Sequence, residues 1–416
     1  MALWLHELRL FARQRVAAPA LLLLLMLGSM SVWNGLSEIA HQRDVIERIQ
    51  PQQEADISAV ADFVTLDGDP GYAAYYTYHA TWDDPSDLAF AALGQRDVAP
   101  YVLRVNALAL EAQIHNNERY NAELALPGKF DWAFVLTYIA PLVLIVLLHD
   151  LASSEREAGR LNLLQSLASN TRTFWIRRVT LRYLLALAVI VLPFLFGAAI
   201  AGSSIGDSLA VSAMTALYLT FWTAASLLVG RLRWNSAANA GVLAASWFMI
   251  VLVLPALAHL GINAAIPVRQ GVELTLAQRE TVHAGWDKPK PETMAAFGEL
   301  YQEWRDTPPI EGGFHWKWYY AFQHLGDVSV EDETLAYREG LEARDRWTRR
   351  VGYLLPPVAL QHALHRRAET DLRAQLTYQD RIRDYHGRLR EFYYPFIFNE
   401  QEFSRQDFAR APLWSR

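Results

Sequence analysis

The chain has 416 residues, 52% of them hydrophobic and 20% charged, and its mean hydropathy is near zero. That average fits very apolar segments beside sizeable polar ones, not a uniformly soluble or uniformly membrane-embedded chain. A net charge of −6 excludes strong general affinity for nucleic acid, and the lack of cysteine excludes a disulfide framework and thiolate chemistry.

A helix that crosses a bilayer needs about 20 mostly apolar residues. The first such run covers 17–36, with Leu21 to Leu25 at its heart. Basic residues precede it, as they precede a signal peptide. The run stays apolar through Met30, Val32 and Trp33 without a small-x-small cleavage site, which reads as an uncleaved anchor. Further spans are expected at 132–149, 183–202, 208–230 and 236–260. Pro193 and Pro255 fall inside two of them and are tolerable where neighbouring helices re-satisfy the backbone. No span carries a Lys, Arg, Asp or Glu in its middle.

Basic residues set the orientation. Arg9, Arg13 and Arg15 precede the first span; Arg156, Arg160, Arg172, Arg177, Arg178 and Arg182 lie between the second and third; Arg231 and Arg233 lie between the fourth and fifth. These segments alternate as cytoplasmic, so the N-terminus is expected in the cytoplasm of a cell whose inner membrane holds the chain. Residues 37–131 and 261–416 are then outside. The first of these is visibly acidic, with Glu47, Glu54, Asp56, Asp62, Asp67, Asp69, Asp83, Asp84 and Asp87.

The expected fold class is a mainly α polytopic membrane protein with two extracytoplasmic helical regions. In 37–131, Ile39, Val45, Ile46, Ile49 and Ile57 predict a helix from Leu36 to about Leu66. A turn-rich centre follows around Asp67-Gly68-Asp69-Pro70-Gly71 and Asp83-Asp84-Pro85, and Val98 to Ala125 reads as helix. The second region opens on loops with Pro267, Pro289, Pro291, Pro308, Pro309 and Gly312-Gly313. Between Asp371 and Phe392 it predicts a charged helix with a stripe of Leu372, Leu376, Ile382, Tyr385 and Leu389, which packs on its own fold.

Few residues point to catalysis. No Gly-x-x-x-x-Gly-Lys-Ser/Thr loop or Gly-x-Ser-x-Gly elbow occurs, so neither P-loop hydrolysis nor an α/β-hydrolase site is expected. His362 and His365 are three apart, but Arg366 and Arg367 adjoin them and no further metal ligand is evident. The run His315-Trp316-Lys317-Trp318-Tyr319-Tyr320 reads as an interfacial aromatic belt in preference to a binding site. No cofactor and no metal are expected.

The most informative stretch directly follows the second span: Glu155-Arg156-Glu157-Ala158-Gly159-Arg160-Leu161-Asn162-Leu163-Leu164. It is a short amphipathic segment between two spans, with a glycine where a helix can end or bend, able to lie on the membrane surface and offer charges to a cytoplasmic partner. It resembles the Glu-x-Glu-x-Gly-Thr pattern of ABC-2 type permeases, which follows the second span in that family. A further likeness, through Asp87-Leu88-Ala89, Gly94-Gln95-Arg96-Asp97-Val98-Ala99-Pro100 and Gly128-Lys129-Phe130-Asp131, is to an uncharacterised branch with a large insert between the first two spans.

The resemblance implies a coupling helix docked on a separate ATP-binding subunit, with Glu155, Arg156, Glu157, Gly159 and Arg160 in the coupling role; Arg160 stands where the family has threonine. It also implies a second permease subunit, identical or a sister. An interfacial helix is implied at 1–16, with Trp4, Leu8 and Phe11 on one face, and a cytoplasmic coupling segment at 150–182. The family usually has six spans, yet no apolar run follows Trp414: a naturally short member, a helix supplied by a partner, and a truncated sequence are the three readings. The function implied is a non-catalytic permease subunit. The alternative is a membrane-anchored sensor or scaffold whose external regions bind a ligand or protein.

Overall fold

The computed structural model describes residues 2–64, 68–115, 130–167, 170–269 and 271–415. The chain is mainly helical, and five of its helices are long and apolar enough to cross a membrane. After α1 (Ala2–Ala12) comes α2 (Ala17–Val64). The second membrane-length rod, α5, runs through Trp132–Phe134, a π-helical turn at Val135–Ile139, and Ala140–Leu148. The others are α8 (Thr171–Ala201), α9 (Ile205–Gly230) and α10 (Ser236–Ala265, π-helical at Met249–Val253).

Leu24, Trp132, Leu136, Leu144, Ile190, Phe194, Leu219 and Trp222 fill the core of this bundle. On the outside, Leu192, Phe196, Leu217, Leu228 and Leu257 are all more than half exposed. So broad an apolar exterior is compatible with a bilayer as the surrounding solvent and not with water.

Helix α2 does more than span. Its 48 residues reach roughly 72 Å by helical rise, against a hydrocarbon core of about 30 Å. The expected boundary between a first span and a separate helix is therefore absent: one helix runs through Pro51 and continues as the spine of a large domain at one end of the bundle. Along this extension Gln53 accepts the Ala80 amide at 2.7 Å, Asp56 pairs with Arg104 at 2.9 Å, and Gln42 accepts from Arg96 at 2.9 Å.

The large domain joins two remote stretches of chain. From the insert come α3 (Pro70–Tyr76), β1 (His79–Trp82), β2 (Val102–Val105) and α4 (Glu111–His115). After α10 come α11 (Gly271–Ala284), α12 (Lys290–Leu300), α13 (Trp316–Val328), α14 (Glu331–Gly352), α15 (Pro356–Arg367), α16 (Leu372–Phe398) and α17 (Arg405–Phe408). One core holds Ala61, Ala73, Leu103, Val105 and Ile114 from the first stretch with Phe297, Tyr320, Tyr385, Tyr393, Phe398 and Phe403 from the second. Four membrane-length helices separate the two stretches, an even number, so both emerge at the same end of the bundle.

Several local expectations are corrected. Val98 to Ala125 is not a helix throughout: Val102–Val105 pairs antiparallel with His79–Trp82, Val105 facing His79, and Leu103 and Val105 turn inward as a strand's alternation requires. Residues 116–129 lie outside the described ones. The Pro-rich opening of the second region is largely helical, because Pro291 falls within the first turn of α12, where its missing N–H costs nothing. The His315–Tyr320 run is not a membrane belt. It opens α13 inside the large domain, where Tyr320 is fully buried and the buried Lys317 ammonium bonds the Glu400 carboxylate at 2.6 Å and the Pro308 carbonyl at 2.5 Å. The charged α16 packs on its own fold, with Leu376, Ile382, Tyr385 and Leu389 buried and Leu372 half-buried.

The domain is seated on the bundle by residues 88–93. Phe90 stacks on Phe194 with centroids 6.0 Å apart, and its carbonyl oxygen occupies the space where a Cβ on Gly35 would stand, 1.9 Å away. Asp131, capping α5, accepts both the Phe134 and Leu93 amides, tying that loop to the bundle.

Candidate functional site at the far end of the bundle

At the end opposite the large domain, α6 (Ser153–Glu157) follows α5 and turns into α7 (Leu161–Leu167). The turn is a C-terminal helix cap. The Gly159 amide donates to the Arg156 carbonyl at 3.0 Å and the Arg160 amide to the Glu155 carbonyl at 2.9 Å. This closure needs a left-handed residue, and Gly159 supplies it with φ +71°. A glycine at that point in the sequence is thus a reversal of chain direction between two short helices.

The side chains of α6 brace the neighbouring segments. Glu155 accepts from Arg160 at 2.9 Å and from Arg178 of α8 at 3.1 Å; Arg178 in turn lies 3.5 Å from the buried Glu7 of α1. Arg156 reaches the carbonyls of Leu232 and Trp234 at 3.5 and 3.4 Å, in the connection from α9 to α10. Glu157 caps the start of α10 by accepting the Ser236 amide at 2.5 Å, and Ser153 bonds the Ser236 hydroxyl at 2.9 Å. Asn239 of α10 donates to the His149 carbonyl at 3.2 Å.

Directly, or through Arg178, this short helix is tied to the N-terminal helix, α8 and the α9–α10 turn. The three arginine-bearing segments converge here. Glu155 and Arg178 are largely buried, whereas Glu157, Gly159 and Arg160 are exposed, and Leu163 is 58% exposed. The arrangement has a braced inner face and a free outer face of mixed charge and one apolar side chain.

All five sequence-singled residues lie on this element, in two roles: Glu155 and Arg156 bind inward, and Gly159 and Arg160 front the surface with Glu157 shared between them. Sequence reasoning missed Glu7, Arg178 and Ser236, the residues that receive the brace. Their signal was faint, since Arg178 is one of several arginines in the connection. Trp4, Leu8 and Phe11, spaced four and three apart on the N-terminal helix, lie along one face of it but at different depths. Phe11 is buried beneath Arg182, 5.6 Å from its ring centroid, while Trp4 and Leu8 stay about 40% exposed, so the three do not share one environment.

The outer face of the element presents Glu157, Arg160 and Leu163 to the surroundings. Among the described residues no group of three His, Asp or Glu side chains is placed to hold a metal. His362 faces Asp345 at 3.4 Å in the large domain.

A model for a domain of unknown function, DUF3526, matches residues 272–415, which is the second stretch of the large domain and leaves the bundle and the Glu155 element outside the match. No curated protein and no solved structure matches the chain.

Proposed function

We propose that the chain is the membrane-spanning subunit of an ATP-driven transporter of the ABC-2 permease type, held in the inner membrane with its N-terminus in the cytoplasm. The observation that carries this reading is the α6–α7 turn. It follows the second membrane-length helix, carries the Glu-x-Glu-x-Gly pattern, and is cross-braced to α1, α8 and the α9–α10 turn while leaving Glu157, Gly159, Arg160 and Leu163 exposed.

A push on that face would move three segments together, which is what transmission from a nucleotide-driven partner to a helical bundle requires. On this reading nucleotide hydrolysis belongs to a separate ATP-binding subunit, and a second permease, identical or a sister chain, completes the complex. The large domain then faces away from the cytoplasm.

The test is co-purification followed by ATPase assay in proteoliposomes. A nucleotide-hydrolysing chain should accompany the native protein, and Glu157→Arg with Arg160→Glu should lower its membrane-dependent ATPase activity while leaving insertion intact. Purification with no such companion would instead favour the sensor or scaffold reading, and an unchanged ATPase rate in the double variant would remove the coupling role.

A further inference from the structure

Two cavities, of about 400 and 340 Å³, meet at Gln95 and Leu372, which line both. Together they make one elongated cleft where the large domain meets the outer end of α5. Its long wall is one face of α14, on which Tyr337, Leu341, Asp345 and Thr348 recur at helical spacing over about 16 Å of rise. Opposite stand the 93–100 loop and the first turns of α16.

The two halves differ in chemistry. The half inside the large domain is mainly apolar, walled by Val98, Pro100, Leu103, Leu341, Leu376 and Ile382. The half against α5 holds four carboxylates, those of Asp97, Asp131, Asp345 and Asp371. Phe134 and Tyr138, their ring centroids 4.9 Å apart, line the same half.

No lysine or arginine lines either half. The walls themselves are rich in arginine, but those side chains turn elsewhere: Arg338 and Arg383 to Asp380, Arg344 to the Ile266 carbonyl, Arg381 to Asp83. Asp131 and Asp371 each cap a helix, and the amides they accept offset only part of their charge. Burial, with the charge of Asp97 adding to it, pushes the Asp131 carboxyl up to about 6. That is the response of a carboxylate without a counter-cation.

Acceptors are left over as well. The His365 ring lines the acidic half, is largely buried, and makes no hydrogen bond among the described residues. Burial lowers its pKa to about 4, so the ring is neutral and keeps a lone pair. His362 Nε2 is buried without a hydrogen bond, although Asp345 is 3.4 Å away. Buried polar atoms are seldom left so. Carboxylates without a counter-cation and nitrogens with unused lone pairs call for a cation that donates hydrogen bonds. Among the described residues no three His, Asp or Glu side chains are placed to hold a metal, which makes that cation organic.

We propose that this cleft binds an amphiphilic primary amine, with its ammonium among Asp97, Asp131, Asp345 and His365 and its hydrocarbon chain in the half walled by Leu341, Leu376 and Ile382. A primary ammonium brings three N–H donors to the carboxylate and imidazole acceptors. The Phe134 and Tyr138 rings offer further stabilisation to its charge. The chain reaches past Gln95 and Leu372 into the apolar half, so affinity grows with the methylenes buried there. The site is read from the cleft alone and stands whether or not the chain belongs to a transporter.

The test is calorimetric titration of the full chain, in phosphatidylcholine nanodiscs, with octylammonium; the heat from empty discs is subtracted. Octylammonium should bind more tightly than butylammonium, which is too short to fill the apolar half. It should also exceed octanol, which has no charge, octanoate, whose charge is opposite, and octyltrimethylammonium, which has no N–H donor. Asp345→Asn should weaken binding at least about tenfold, as loss of a hydrogen bond to a charged group does. Leu341→Trp, which fills the apolar half, should weaken it too while the preference for a cation remains. Thr348→Lys tethers an ammonium at the acidic end, and should abolish binding and raise the melting temperature. Glu331→Gln, at the exposed start of the same helix, should leave the affinity unchanged. Equal affinity for octanol or octanoate would overturn the proposal, and so would octylammonium binding indifferent to both Asp345→Asn and Thr348→Lys. Neither nucleotide nor a partner subunit enters the measurement, so its failure would leave the coupling role of the α6–α7 turn untouched.

Discussion

Replacing Asp327 with alanine should cripple the large domain. This carboxylate accepts the Leu110 amide at 2.8 Å, the Glu111 amide at 3.3 Å, the Gln278 side chain, and the Arg390 guanidinium at 2.5 Å. It thereby joins α4 of the insert to α11, α13 and α16 of the second stretch, and Arg390 extends the tie to the Leu108 carbonyl at 2.9 Å. The alanine variant leaves a largely buried guanidinium without its counter-charge and two amides without their acceptor. Breaking a buried pair in this way costs about 3–5 kcal/mol, a large share of the roughly 5–15 kcal/mol that stabilises a typical domain.

The assay is pulse proteolysis across a urea series on the purified chain in detergent, with fragments mapped to the large domain. Asp327→Asn, whose amide oxygen can still accept from Leu110, should lose less than Asp327→Ala. A loss of no more than about 1 kcal/mol in the alanine variant, the range of an exposed pair, would refute the view that this carboxylate holds the two stretches together.

Gly35→Val should unseat the 88–93 loop, because the new side chain meets the Phe90 carbonyl; overpacking of this kind costs about 1–3 kcal/mol, and hydrogen exchange at 88–93 should accelerate. Gly159→Val forces a β-branched residue into left-handed backbone at a cost of at least about 1–2 kcal/mol, and exchange should rise across 155–164 with the large domain unaffected. Acid should also weaken the large domain through Glu111. Burial pushes this carboxyl up, but hydrogen bonds from His115 and Arg383 outweigh it and bring it down to about 2. A carboxylate depressed from its unfolded value of about 4.3 contributes stability that is complete above that value and lost as pH falls toward about 2. Glu111→Gln should flatten that part of the stability profile, and a curve as steep as the native one would contradict the assignment.

The five membrane-length helices were legible because twenty or so apolar residues in a row carry their meaning locally. The helix boundaries were less so: the apolar run of α2 stops near Leu36, but nothing there breaks the helix, and it continues through Pro51. The α6–α7 turn was legible in Gly159. Its braces were not, since the pairing of Arg178 with both Glu7 and Glu155 joins positions far apart in sequence. The union of the insert with the C-terminal stretch was hidden for the same reason. Asp327 and Leu110 are neighbours only after folding, and no local periodicity announces a hydrogen bond between them. The aromatic run at His315–Tyr320 misled because tryptophan and tyrosine suit a membrane interface and a domain core equally well.

On the proposed function the bundle separates two faces, with the Glu155 element on the cytoplasmic one and the large domain on the other. Single cysteines at Asn162 and Glu331, both exposed, can be treated in intact spheroplasts with a membrane-impermeant maleimide. The label should react with Glu331→Cys at once and with Asn162→Cys only after lysis. Reaction at position 162 in intact spheroplasts would place the proposed coupling element on the wrong side of the membrane and contradict the account.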